Sequence, residues 1–155
     1  MSIPPFKFTC SKSFSDFPCC HRQWNHKGHC KFVHGYSRVF KFWFAAKELN
    51  NNGFVVDFSS LKDLEDRLKD YFDHTFLVNQ DDPLLEKWKE LDKLEAIDLR
   101  IMFNVGMEYT AQQIWAWANE HLLNVDNGRT CCWRAESIEN ESNSAQYEQI
   151  PPWYN

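Results

Sequence analysis

The chain has 155 residues, a length that suits one domain, with 43% apolar residues, a formal net charge of −5 and no long Lys/Arg run. That balance argues against a nucleic-acid binder, whose footprint is basic, and no apolar run approaches the roughly 20 residues that span a bilayer. Seven Trp and thirteen Phe are much flat apolar surface for so short a chain, and they anticipate a buried subunit interface as well as a core.

The N-terminus, Met1 to Pro5, carries no basic stretch followed by an apolar one. A secretory leader is therefore not expected, and the six cysteines are expected to be reduced in the cytoplasm. Cys19-Cys20 and Cys131-Cys132 are adjacent pairs, not the Cys-x-x-Cys of a zinc knuckle or redox motif.

Alternation predicts a first strand over Phe6–Cys10. Ser11–His29, rich in Ser, Pro, Cys, His and Gly, reads as a long loop holding His21, His26 and His29. Cys30–Leu49 is a second strand region, and Cys30, His34 and Tyr36 share one parity, hence one face of an extended chain. Both faces of Val39–Ala46 are apolar, so both should be covered. Asn50–Gly53 is a turn signal, and Phe54–Phe58 should return as a short strand.

Asp57 or Ser59 can cap a helix whose apolar stripe is Leu61, Leu64, Leu68 and Phe72, with Asp73-His74 at its end. Asp82-Pro83 opens a second helical pattern through Leu94. Leu99–Asn104 is a short extended segment. Thr110 should cap a third helix carrying Ile114, Trp115, Ala118 and Leu122. Thr130–Glu139 is a last strand with Cys131, Trp133, Ala135, Ser137 and Glu139 on one face, and the tail from Ser142 should be loosely held. The predicted class is α+β: an antiparallel sheet with helices on one face.

Four polar groups can carry chemistry. Cys30 is a candidate nucleophile or proton carrier, or simply a small apolar residue. His21 and His34 can share zinc, for which imidazole is a suitable ligand. In Asp73-His74 a carboxylate can orient an imidazole as a base, or the ring can merely complement a helix C-terminus. Glu139 can accept paired N–H donors from a flat heterocycle, or sit solvated at a strand end.

Taken together these pieces resemble the 6-pyruvoyltetrahydropterin synthase family, and more closely its bacterial branch, the 6-carboxytetrahydropterin synthases of queuosine biosynthesis. The resemblance rests on six anchors in family order: Phe17-Pro18-Cys19-Cys20-His21, Cys30-Lys31-Phe32-Val33-His34-Gly35-Tyr36, Gly53 to Leu61 (Gly-x-Val-x-Asp-Phe-x-x-Leu), Asp73-His74-Thr75-Phe76-Leu77, Tyr109-Thr110-Ala111-Gln112, and Glu139 with Tyr147 eight residues on. It implies the T-fold (tunnelling fold), with subunits closing into a barrel, commonly a hexamer of two trimers, over one domain at residues 1–147 with a tail at 148–155. It implies zinc held by His21 and His34, with Cys30 transferring protons through an Asp73-His74 relay. It also implies Glu139, Thr110 and residue 112 at a pterin pocket. The implied substrate is 7,8-dihydroneopterin triphosphate, giving 6-carboxy-5,6,7,8-tetrahydropterin, acetaldehyde and triphosphate. Cys30 lies four residues before His34, as in that branch, whereas the biopterin-forming branch typically has a longer gap.

Two departures matter. Tyr36 stands where the family has its third zinc ligand, and a phenol rarely ligates zinc. The ion is then lost, weakly held, or completed by His26 or His29. Gln112 stands where the family usually has Glu. The alternatives are a 6-pyruvoyltetrahydropterin synthase activity, or a T-fold protein that binds a pterin without this chemistry. The helix at Pro83–Leu94 is extra sequence that could alter the assembly.

Overall fold

The computed structural model describes residues 6–154. Six strands and three α-helices occur in the order β1 (Phe8–His21), β2 (His34–Ala46), α1 (Lys62–Phe72), β3 (Thr75–Asn79), α2 (Leu85–Lys93), β4 (Leu99–Met102), α3 (Met107–Asp126), β5 (Thr130–Ile138) and β6 (Ser144–Glu148). They form one sheet ordered β4-β3-β1-β2-β5-β6. The expected antiparallel sheet spans β1, β2, β5 and β6, and β3 and β4 extend it in parallel beyond β1.

The core lies between one face of this sheet and the helices α1 and α3. Phe40, Phe42 and Phe44 alternate along β2 toward Leu64, Leu68 and Phe72 of α1 and Ile114, Ala118 and Leu122 of α3, all buried. The stripe predicted for α1 is therefore the buried one. Asp57 starts the short 3-10 turn Phe58–Leu61 ahead of it, its carboxylate accepting from the Ser59 N–H at 2.9 Å. α2 buries none of its residues fully. Its Trp88 meets Phe76 edge-on, while the next residue of β3, Leu77, faces the core.

Several expectations are corrected. Ser11–His21 is not loop but the greater part of β1. A register break between Phe14 and Phe17, with Asp16 at φ 71°, lets both phenylalanines face the core. This is why simple alternation fails there. Phe54–Phe58 makes no strand. Val55 and Val56 are buried in a loop held by Arg129, which donates to the carbonyls of Glu48 and Val55. β3 went unpredicted because all five of its residues are buried, leaving no alternation to read.

Thr110 is not a cap: α3 begins after Gly106, and the Thr110 hydroxyl donates to the Gly106 carbonyl from within the helix. β5 does not keep one face. A second register break pairs Trp43 with Arg134 and Phe44 with Cys132. Cys132 and Ala135 therefore face the main core, while Cys131 joins a smaller cluster with Ala45 and Tyr154, flanked by Trp133. The segment from Ser142 is not loose: Ser144–Glu148 is strand β6, and Tyr154 is buried. Among the described residues no helix is long and apolar enough to cross a membrane.

Candidate active site

The antiparallel pairing of β1 and β2 builds one end of the site. His21 sits opposite His34, Cys19 opposite Tyr36, and Phe17 opposite Arg38. Cross-strand partners share a face, so these side chains continue the core face of the sheet toward its end. The rings of His21 and His34 have centroids 4.5 Å apart, and Tyr36 stands edge-on to His34 at 6.1 Å.

Arg38 is the residue that sequence reasoning passed over. It occupies the parity of Phe40, Phe42 and Phe44 and is wholly buried. One terminal nitrogen donates to His21 Nδ1 at 3.0 Å, the other to Thr110 Oγ1 at 3.5 Å. Burial pulls the guanidinium pKa down, opposed by Cys19 and Glu139. A cation in register with three core phenylalanines was the available signal. His21 is itself buried. That burial, then Arg38 and then His34, push its pKa down to about 3, so its ring is neutral at physiological pH. The His34 Nδ1–H donates to the Phe32 carbonyl at 2.7 Å.

Thr110 joins this cluster through Arg38, and Glu139, just beyond the end of β5, is near enough to act on the Arg38 charge. Gln112 does not join it: two positions along α3 it is exposed on a separate surface with Phe103, Asn104 and Tyr109. Cys30 is not on β2. It lies in the short 3-10 turn His29–Lys31, exposed, so the wall expected for Cys30, His34 and Tyr36 keeps only the last two.

Asp73 and His74 form the expected pair. The carboxylate accepts from His74 Nδ1 at 2.6 Å, which leaves Nε2 free as a base. His74 is held at φ 60° with its N–H on the Pro18 carbonyl, and its side chain is 82% exposed. It borders a groove of about 520 Å³ with Cys19, Cys20, Gly35, Tyr36, Ser37 and Phe76. Cys20, Gly35 and Ser37 alternate with Cys19, Tyr36 and Arg38 along the strands, and the groove takes lining residues from both sets. Tyr36, edge-on to His34, is thus shared between this groove and the His21–His34 cluster.

Arginine can only donate, so His21 Nδ1 is an acceptor and the proton of the neutral ring is on Nε2. Neither nitrogen then offers a free lone pair. His34 Nε2 does, but Tyr36 beside it is a phenol, and among the described residues no three His, Cys, Asp or Glu side chains gather at one point. These residues do not fit a zinc site.

Residues 9–150 match the family described as 6-pyruvoyl tetrahydropterin synthase. The curated 6-carboxy-5,6,7,8-tetrahydropterin synthase of Rickettsia typhi is 37% identical over 73 residues, covering 46% of this chain and 53% of that one. Its counterpart from Rickettsia conorii is 35% identical over 68 residues, covering 43% and 49%. The chain thus spans about half the length of the curated relatives it matches. An uncharacterised protein from Wolinella succinogenes shares the fold at TM-score 0.80, with 18% identity over 92% of this chain and 98% of that one. The 6-pyruvoyl tetrahydropterin synthase of Caenorhabditis elegans does so at 0.62, with 18% identity over 92% and 96%. With the match running nearly end to end, the chain belongs to the 6-pyruvoyl tetrahydropterin synthase family.

Proposed function

We propose that the chain is a lyase acting on 7,8-dihydroneopterin triphosphate in the manner of the 6-carboxy-5,6,7,8-tetrahydropterin synthases. The observation that carries this reading is the Asp73-His74 pair: an exposed imidazole with its tautomer fixed by a carboxylate and its free nitrogen turned to solvent. Such a group is built to move a proton. Cys30, also exposed, is the proposed partner acid, and Glu139 and Thr110 the proposed anchors for the flat amino-oxo edge of the pterin. The names of the Rickettsia relatives support the 6-carboxy product over the 6-pyruvoyl one.

A second copy of the chain is proposed to complete the site by bringing its His74 to the first copy's Cys30. This reading follows the ring-forming homo-oligomer implied by the family resemblance. The test is incubation with 7,8-dihydroneopterin triphosphate and mass spectrometry of the products, followed by mixing of Cys30→Ala with His74→Ala protein. The expected results are 6-carboxytetrahydropterin with acetaldehyde, and recovery of activity on mixing two inactive variants. A 6-pyruvoyl product would reassign the reaction, and heterocycle binding without turnover would favour a second reading, a pterin binder without this chemistry. Arg38 on His21 is the observation that favours that second reading.

A further inference from the structure

We propose that the His21–His34 cluster is metal-free, and that Arg38 supplies its fixed positive charge, holding His21 as a hydrogen-bond donor toward an acceptor oxygen of a bound ligand. The first support is the direction of one hydrogen bond. Arg38 donates to His21 Nδ1 at 3.0 Å. A neutral imidazole that accepts at one nitrogen carries its proton on the other, so His21 presents Nε2–H. That group recognises a carbonyl, alkoxide or carboxylate oxygen and repels a cation.

The second support is independent of the tautomer. Arg38 is wholly buried, and its side-chain hydrogen bonds go to neutral groups, His21 and Thr110. A guanidinium stays protonated in a protein, and a buried charge needs compensation. Glu139 acts on it electrostatically, and an oxygen-rich ligand seated at this end of the sheet would complete the balance. A divalent cation beside the same guanidinium would add repulsion instead. The third support is the neighbouring position: Tyr36 stands edge-on to His34, and a phenol is a poor zinc ligand whose O–H can donate to an acceptor oxygen.

The ligand class is thus an oxygen acceptor, neutral or anionic. If the proposed lyase reading holds, on which this assignment to a substrate rests, the oxygen belongs to the pterin side chain, and His21 backed by Arg38 stabilises the negative charge that develops on it.

The test reads metal content and tautomer, not turnover. The full chain and its His21→Ala variant are each equilibrated with excess zinc chloride, passed through a desalting column and analysed by inductively coupled plasma mass spectrometry. In parallel, ¹⁵N-labelled wild-type protein is examined by long-range ¹H–¹⁵N correlation of the imidazoles. The expected result is the same zinc content in both proteins, with His21 protonated at Nε2 and bare at Nδ1. One equivalent of zinc present in wild type and lost in His21→Ala would overturn the proposal, as would a His21 proton on Nδ1. The tautomer measurement needs no substitution, so it decides the matter even if the variant fails to fold. Zinc at His21 together with product formation would sink this proposal and spare the lyase reading. A metal-free cluster without turnover would do the reverse.

Discussion

Asn119 of α3 and Cys132 of β5 exchange two hydrogen bonds: the amide nitrogen donates to the Cys132 carbonyl at 2.9 Å, and the amide oxygen accepts the Cys132 N–H at 2.9 Å. Cys132 flanks the β5 register break. The side chain of Asn119 thus supplies the backbone partners that the break leaves missing, deep in the core. Asn119→Leu should strand both groups and cost about 2–6 kcal/mol, roughly one to three per buried unsatisfied group. Urea unfolding followed by Trp fluorescence measures it, and an unchanged midpoint would remove Asn119 from this role.

Arg22 and Asp82 form a bidentate ion pair, with bonds of 2.7 and 2.9 Å, joining the end of β1 to the approach of α2. Burial alone would raise the Asp82 carboxyl. The Arg22 hydrogen bonds, the Leu84 N–H and the guanidinium charge outweigh it, and the pKa falls below the usual value. A depressed folded-state pKa stabilises the protein above the unfolded value, about 3.9 for Asp, and that contribution fades as pH falls through the folded value. Asp82→Asn should destabilise at pH 7 by about 2–4 kcal/mol, because Arg22 loses its partner in a largely buried setting. The gap between variant and wild type should narrow below about pH 4. Denaturant midpoints at pH 7, 5 and 3 check both statements.

The six thiols should sort by burial. Cys131 is pushed up to about 12 by its burial and by Asp126, and Cys132 is raised further, chiefly by complete burial. Both are inert as thiolates near neutrality. Cys30 is the exposed one. Brief treatment of native protein with iodoacetamide should modify Cys30 first and leave Cys131 and Cys132 untouched until urea is added. Peptide mapping showing early labelling of the Cys131-Cys132 pair would contradict the burial described.

Asp73→Asn should remove the group that orients His74 without disturbing the core. The expected result is a fall in kcat of about 10²–10⁴-fold, the usual worth of a positioned acid–base group, with little change in KM or in melting temperature. Steady-state kinetics with the proposed substrate, 7,8-dihydroneopterin triphosphate, tests it. A rise in KM at constant kcat would recast the pair as a binding group.

What was legible in the sequence was whatever obeyed a single period. The stripe Leu61, Leu64, Leu68, Phe72 and the run Phe40, Phe42, Phe44 read directly as one face each. The Asp73-His74 pair was legible because adjacency in sequence survives any fold. What failed did so where a period was interrupted or absent: at Asp16 in β1, at Trp133 in β5, and in the uniformly buried Thr75–Asn79. Arg38 was hidden for another reason. Its meaning depends on a ring seventeen residues upstream in β1 and a hydroxyl seventy-two residues on in α3, and only the folded chain puts these side by side.

The irregularity at Asp16 has a further consequence. Before it, Cys10 and Phe14 face the core; after it, Phe17, Cys19 and His21 do. The phase of the strand changes by one residue between them. Loss of a single codon there would restore plain alternation while keeping Phe17, Cys19 and His21 on the core face, opposite the same residues of β2. The bend therefore absorbs one residue of β1 without moving the chemistry at the far end of the strand. Along a lineage, a one-residue deletion at that bend would leave the His21–Arg38 contact in place, whereas one within the regular stretch Phe17–His21 would turn His21 to the other face.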